Sequence, residues 1–383
     1  MIDIRNFYTL KKKLQVFLFT LLVVCISILG LVWLSIGICI ITLLSILIFK
    51  LLIKSRNTLL KKIFTAAYCL LFIFLAGIGL KIFMFDIFKI PSSSMENTLF
   101  KEDVILVSKL QYGPRLPQSP FDVPWLNIAF YFNDDARKRI KEDWWEYNRL
   151  PGLTTIKKGD VFVFNSTWDK EFIMVKRCIA LPGDTLSIND AEIYINRKVF
   201  EEPNSVKNSY SFKVKNKMDL YIALDSFSSN IFLKNRSKLS EANLTRFQLE
   251  HLKKQNYIDS VSKRIDSFAS HEIFLKETGS VKWTVDNMGP IVIPKEGMQI
   301  DLNPLTFSMY GKSINKFEDH EVTEKNGIYF IDNSPMSTYT FKQDYFFMMG
   351  DNRKETLDSR KFGFVPESNI VGKVQCVLFS KRE

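Results

Sequence analysis

The chain has 383 residues, 46% of them hydrophobic and 24% charged, and a formal net charge of +11. That length exceeds one ordinary compact domain and predicts a core with an appended module. The charge is concentrated: residues 1–62 carry nine cations (Arg5, Lys11, Lys12, Lys13, Lys50, Lys54, Arg56, Lys61, Lys62) against the single acid Asp3, which is 9 − 1 = +8 of the total, while the basic and acidic side chains of 186–345 cancel. Cations bordering apolar spans are what retention on the cytoplasmic side produces. Phosphate binding needs a basic surface on the folded domain itself, so no nucleic-acid partner is expected.

In chain order, Val16 to Phe49 is a run of 34 residues without a charge. A single crossing needs about 20 residues, so this run predicts two short spans turning near Trp33 to Gly37, with both basic flanks cytoplasmic. One long tilted helix is the alternative. The run is too long for a cleavable signal peptide, and no small-residue cleavage site follows it. Ile63 to Leu80 is a further uncharged stretch after Lys61 and Lys62, expected to cross outward and carry everything after Lys81 to the far side. The continuation KIFMFDIFKI suits chain lying at the membrane surface or a helix end entering the soluble core.

Beyond residue 90 the runs become short and β-like: 103–110, 159–165, 171–181, 185–196, 344–350 and 371–379 are rich in Val, Ile and Phe and bounded by Gly, Pro, Asn or Asp. Residues 240–255 predict a helix, with Ser240 as N-cap and Leu244, Phe247 and His251 on one face. The expected fold is N-terminal transmembrane helices followed by a mainly antiparallel β catalytic domain with a large mixed α+β insertion. The corresponding divisions are a membrane hairpin (1–62), an anchor (63–89), a first catalytic part (90–186), the insertion (187–343) and a second catalytic part (344–383).

Cys25, Cys39 and Cys69 lie inside apolar runs and read as small buried hydrophobes. Cys178 and Cys376 are open to either a disulfide or two unpaired thiols. The three histidines, His251, His271 and His320, stand at no ligand spacing to one another or to a cysteine. No metal site and no cofactor are expected.

Three segments carry chemistry. IPSSSMENTL (90–99) follows the last apolar span and, alone, is a polar turn. MVKRCIALPGDTL (174–186) puts Lys176 in a strongly apolar strand, where desolvation favours the neutral amine and makes it a proton acceptor. MMGDNRKETLDSRKFGFVP (348–366) reads as a tight hydrogen-bonded loop. In order, spacing and position behind an apolar anchor, the three resemble the motif set of the bacterial type I signal peptidases, in a long form. The resemblance covers about 90–110, 159–186 and 344–375 with the anchor, and it does not extend to 111–158 or 187–343.

That resemblance implies an endopeptidase that removes N-terminal signal peptides from secreted preproteins after small residues of the Ala-x-Ala kind, through an acyl-enzyme. It implies Ser94 as nucleophile, Lys176 as general base, and Ser92 together with the Ser94 N–H at the oxyanion. Thr356 stands where the family usually has a serine that orients the lysine, and Arg353, Asp358 and Arg360 match residues bracing the loop formed by Gly350, Asp351 and Asn352. Ile90, Met95 and Val175 are the expected pocket lining. It also implies a multi-pass protein of the bacterial cytoplasmic membrane with the catalytic domain on the outer, periplasmic side. Its partners would be signal peptides, membrane lipid and, as a further candidate, the secretion channel.

Three departures stand out: ENTL where a proline-containing ending is usual, Lys354 where an acid is frequent, and Thr356 for serine. The sequence SVSK (260–263) has the letters of a penicillin-binding motif without its companions and is read as chance. The alternative function is an inactive membrane-tethered paralogue that binds or assembles.

Overall fold

The computed structural model describes residues 4–54, 57–125, 128, 132, 145–170, 172–227, 234–236, 239–266 and 283–381. His271 and Arg56, and parts of the 111–158 and 187–343 segments, lie outside the described residues. The chain divides into two compact units, residues 1–86 with 108–155 and residues 87–107 with 156–383.

In the first unit, helices α1 (Ile4–Ile28), α2 (Val32–Ile53) and α3 (Thr58–Phe83) account for the apolar runs. The break between α1 and α2 falls at 29–31, a few residues before the expected turn at Trp33 to Gly37. The reason is local: Gly30 adopts φ +83, its N–H bonds Ser27 O at 3.0 Å, and Leu31 N reaches back to Ile26 O at 3.2 Å. That is the glycine-ended helix terminus only a residue without Cβ adopts at little cost. Gly37 instead sits inside α2. Ser35 Oγ on α2 donates to Val23 O on α1 (3.1 Å) and Ser27 Oγ donates to Ser35 Oγ (2.9 Å), so the two helices fold back on each other. Asn57 caps α3, its Oδ1 accepting from Leu59 N and Leu60 N. The stretches Val32–Leu52 and Thr58–Phe83 are each long and apolar enough to cross a membrane, and α3 buries none of its residues.

The second unit is built on a seven-stranded sheet. Its strands are β1 (Phe85–Lys89), β2 (Val104–Ser108), β3 (Val161–Asn165), β4 (Ile173–Ala180), β5 (Tyr345–Met349), β6 (Val365–Pro366) and β7 (Ile370–Phe379), in spatial order β1-β2-β7-β3-β4-β5-β6. The pairs β3/β4, β4/β5 and β7/β3 are antiparallel. The KIFMFDIFKI segment thus ends as strand, with Asp86 and Phe88 half-buried and Phe85, Ile87 and Lys89 exposed. β4 is central, flanked by β3 and β5, which is why even its lysine is enclosed.

Within the insertion, Thr185–Asn189, Glu192–Ile195, Lys198–Val199 and Met288–Val292 form one four-stranded sheet, and Lys207–Val214, Lys234–Arg236, Leu239–Thr245 and Ile258–Lys263 form another. The helix expected over 240–255 is corrected. Leu239–Thr245 is strand, paired with Lys207–Val214, and only Arg246–Lys253 is helical. Its N-cap is Thr245, whose Oγ1 accepts from Gln248 N while Gln248 Oε1 accepts from Thr245 N; Ser240 lies in the strand. One hydrophobic core joins Ile179, Phe347 and Met349 of the sheet to Ile188, Met288, Tyr310 and Ile314 of the 187–343 segment, so the sheet and that segment share their interior. All five cysteines are unpaired: Cys178 is buried and Cys376 exposed, and Cys25, Cys39 and Cys69, expected to be buried, are exposed on the faces of their apolar helices.

Candidate active site

Ser94 sits in the turn between β1 and β2. Ile90 N donates to Asp103 O and Glu102 N to Ile90 O, both at 2.8 Å, which pins the start of that turn. Ile90, Met95 and Leu99 then bury themselves against Ile105, Val107, Val163 and Val371. This packing holds Ser92 and Ser94 in the wall of a cleft of ≈ 480 Å³ lined by Ile90, Met95, Val175 and Lys176 among others.

Lys176 lies opposite Phe162 of β3 and is 3% exposed. Its amine donates to Ser94 Oγ at 2.8 Å and to Val175 O at 2.9 Å. Burial pushes the amine from its ordinary 10.5 down to about 8, against the opposing pull of the Asp358 and Asp351 carboxylates. Ser92 Oγ is 3.3 Å from Ser94 Oγ.

The loop after β5 closes the site from the other side. Asn352 N donates to Ser94 O at 3.0 Å, fixing the backbone of the serine turn. Asp351, fully buried, accepts from Arg177 Nε (2.9 Å) and Nη2 (2.6 Å) and also from Thr98 Oγ1. Asp358, equally buried, receives Arg360 Nε at 2.9 Å and Nη2 at 2.8 Å together with Gly350 N at 3.1 Å. Arg360 Nη2 also donates to Arg353 O (2.6 Å), and Arg353 Nη1 pairs with Glu202 at 2.8 Å. Each carboxylate near the lysine thus has its own arginine, a division the motif spacing does not reveal.

One expected contact is not made. Thr356 Oγ1 is buried without a hydrogen-bond partner, and the amine's second bond goes to the Val175 carbonyl instead. Thr356 packs on Gly350: a Cβ built there would lie 2.2 Å from Thr356 Oγ1, 2.6 Å from Thr356 Cβ and 2.7 Å from Ser94 O. Gly350→Ala should therefore lower stability by about 1–3 kcal/mol through overpacking, read as a drop in denaturation midpoint. An unchanged midpoint would mean that both Thr356 and the Ser94 backbone give way freely. Lys354, which departs from the expected acid, binds two acids of the insertion: Asp266 at 2.9 Å and the buried Asp286. Sequence reasoning also missed Glu96, Thr98, Arg177 and Lys207, whose partners lie far away along the chain.

A hydroxyl bonded to an enclosed amine in the wall of a cleft is equipped for acyl transfer to and from the serine oxygen. A family model described as signal peptidase, peptidase S26, matches residues 61–279 and 292–379. The chain belongs to this family. The signal peptidase I of Buchnera aphidicola subsp. Baizongia pistaciae is 26% identical over 300 residues, covering 77% of this chain and 70% of that protein. That of Helicobacter pylori is 25% identical over 298 residues, covering 78% and 76%. A solved signal peptidase I from Enterococcus faecalis V583 is 17% identical, covers 58% of this chain and 97% of its own, and superposes with a TM-score of 0.22.

Proposed function

We propose that the chain removes signal peptides from secreted preproteins by Ser/Lys catalysis, with Ser94 as nucleophile and Lys176 as general base. The observation that carries this reading is the 2.8 Å contact between the Lys176 amine and Ser94 Oγ. With the amine neutral, the same contact runs from hydroxyl to nitrogen. Ser94 Oγ then attacks the scissile carbonyl carbon while its proton passes to Lys176 Nζ. The developing oxyanion is received by the Ser94 N–H and the Ser92 hydroxyl, donors worth roughly 2.7–4 kcal/mol each in related sites. Lys176 returns the proton to the departing amine, leaving an acyl-enzyme. It then takes a proton from the water that hydrolyses that ester. Val175 O limits the rotation of the amine, and Ile90, Met95 and Val175 offer apolar lining suited to small side chains of the Ala-x-Ala kind.

In this reading Lys11 to Lys13 and Lys54 to Lys62 face the cytoplasm, the helices contact lipid, and the residues after 90 work on the outer side of the cytoplasmic membrane, where the secretion channel delivers substrate. The test is incubation of the full-length protein in detergent with a preprotein whose signal ends in Ala-x-Ala, the new N-terminus being located by mass. Release of the mature protein at that bond by the wild type but not by Ser94→Ala is expected. Equal release by both would end the proposal.

The pH dependence follows from the lysine. The base is active when neutral, so activity is lost as pH falls below about 8, the value to which burial lowers the amine. At pH 7 about one molecule in eleven holds a neutral Lys176, against about one in 3000 for an unshifted lysine. kcat/KM should rise tenfold per unit and level off above pH 8, whereas a profile still climbing toward 10.5 would show that burial does not lower the amine.

A further inference from the structure

The residues of the insertion nearest the site are not decoration on it. The segment 202–207 lies between the serine turn and the loop after β5 and bonds to both. On one side, Ser205 Oγ and Thr98 Oγ1 are hydrogen-bonded at 2.7 Å, the Thr98 proton being given to Asp351, and Asn97 Nδ2 donates to Ser205 O at 3.4 Å. On the other, Lys207 N donates to Asp351 O at 2.8 Å and Arg353 N donates to Lys207 O at 3.0 Å, and Glu202 holds the Arg353 guanidinium. The Lys207 side chain then crosses between the two. It is 3% exposed, and its amine meets Glu96 Oε2 at 3.0 Å. Glu96, two residues past the proposed nucleophile, lies within 3.4 Å of Asn352 Nδ2, and Asn352 N holds Ser94 O.

We infer that Lys207 is a positioning residue: through Glu96 it clamps the Ser94 turn to the Asp351–Asn352 loop and so sets the distance between Ser94 Oγ and the Lys176 amine. This rests on the Ser94/Lys176 reading. A burial-only account is weaker, because an enclosed ion pair is a poor source of stability compared with apolar side chains of the same size. A role in register is the better use of one. A displacement of about 1 Å at a reacting pair can cost a hundredfold in rate, so a small relaxation of the turn suffices.

The variants Lys207→Met, Lys207→Arg and the double Lys207→Met/Glu96→Gln separate positioning from folding. Lys207→Met strands the Glu96 carboxylate in the interior and lowers the denaturation midpoint. The double variant removes both charges and should recover much of that midpoint. If Lys207 positions the serine, kcat in the double variant stays about ten- to a hundredfold low, KM stays within about twofold, and Lys207→Arg restores part of kcat. Recovery of kcat together with the midpoint would make the pair a folding element and overturn the inference, as would loss of the fold in both methionine variants. Ser94→Ala assayed alongside keeps the two readings apart. An active Ser94→Ala removes the dyad itself, whereas an inactive Ser94→Ala beside a fully active, folded double variant removes only the clamp.

Discussion

Ser94→Ala and Lys176→Ala should each lower kcat by about 10⁴- to 10⁶-fold, and the double variant should be no worse than either alone. The hydroxyl is a poor nucleophile without an acceptor, and the amine accepts nothing once the hydroxyl is gone. Combining the changes therefore removes one function, not two. Lys176→Arg sharpens the test. It keeps a cation and hydrogen-bond donors at the same strand position, yet a guanidinium does not deprotonate in a protein. Activity of Lys176→Arg above the alanine level would show that the cation, and not a neutral base, is what the site needs. Additive losses in the double variant would separate Ser94 and Lys176 into independent roles.

Asp351→Ala should be the most damaging change away from the dyad, at about 3–5 kcal/mol of stability. Arg177 has its Nε and Nη2 on that carboxylate. Losing it leaves a guanidinium, 9% exposed at its side chain, with Gly159 O and Thr98 as its remaining partners. Urea unfolding monitors the loss, and Asp351→Ala/Arg177→Met should regain part of it by removing the stranded charge. The same substitution carries a signature on catalysis. Asp351 is one of two carboxylates that favour the charged lysine, so its removal lowers the amine further and moves the acidic limb of the rate profile below 8. A limb shifted upward would contradict the assignment of Lys176 as the titrating base.

The apolar runs, the β segments and the three chemical motifs were legible because each is written locally. A strand reads as alternation or an apolar run, a membrane helix as an uncharged stretch, and a lysine among Val, Ile and Cys as a buried amine. Errors arose where local signals compete. Residues 239–245 have a polar pattern compatible with a helix start, but pairing with Lys207–Val214 makes them strand, and the helix waits for Thr245. The hairpin turn went to Gly30, not to the Trp33 to Gly37 stretch, because glycine supplies the left-handed terminus and Gly37 is accommodated in α2. Contacts such as Lys207 with Glu96, or Lys354 with Asp286, join segments that nothing in their spacing links. The hydroxyl at Thr356 shows the opposite limit: the residue type suits an orienting role, but the strand's own carbonyl at Val175 holds that place.

The span of the contact that closes the site has a consequence for when the protein first becomes a protease. Asn352 Nδ2 approaches Ser93 O across 259 residues, and Asn352 N holds Ser94 O in the same way. At roughly 5–20 residues per second of synthesis, that interval alone is about 13–50 s. Once Lys176, 82 residues beyond Ser94, has been made, the serine turn and the lysine strand both exist as chain but still lack Asn352. In the proposed Ser94/Lys176 reading the site is complete only once Asn352 has been made, so its closure is a long-range step of folding and not a local one.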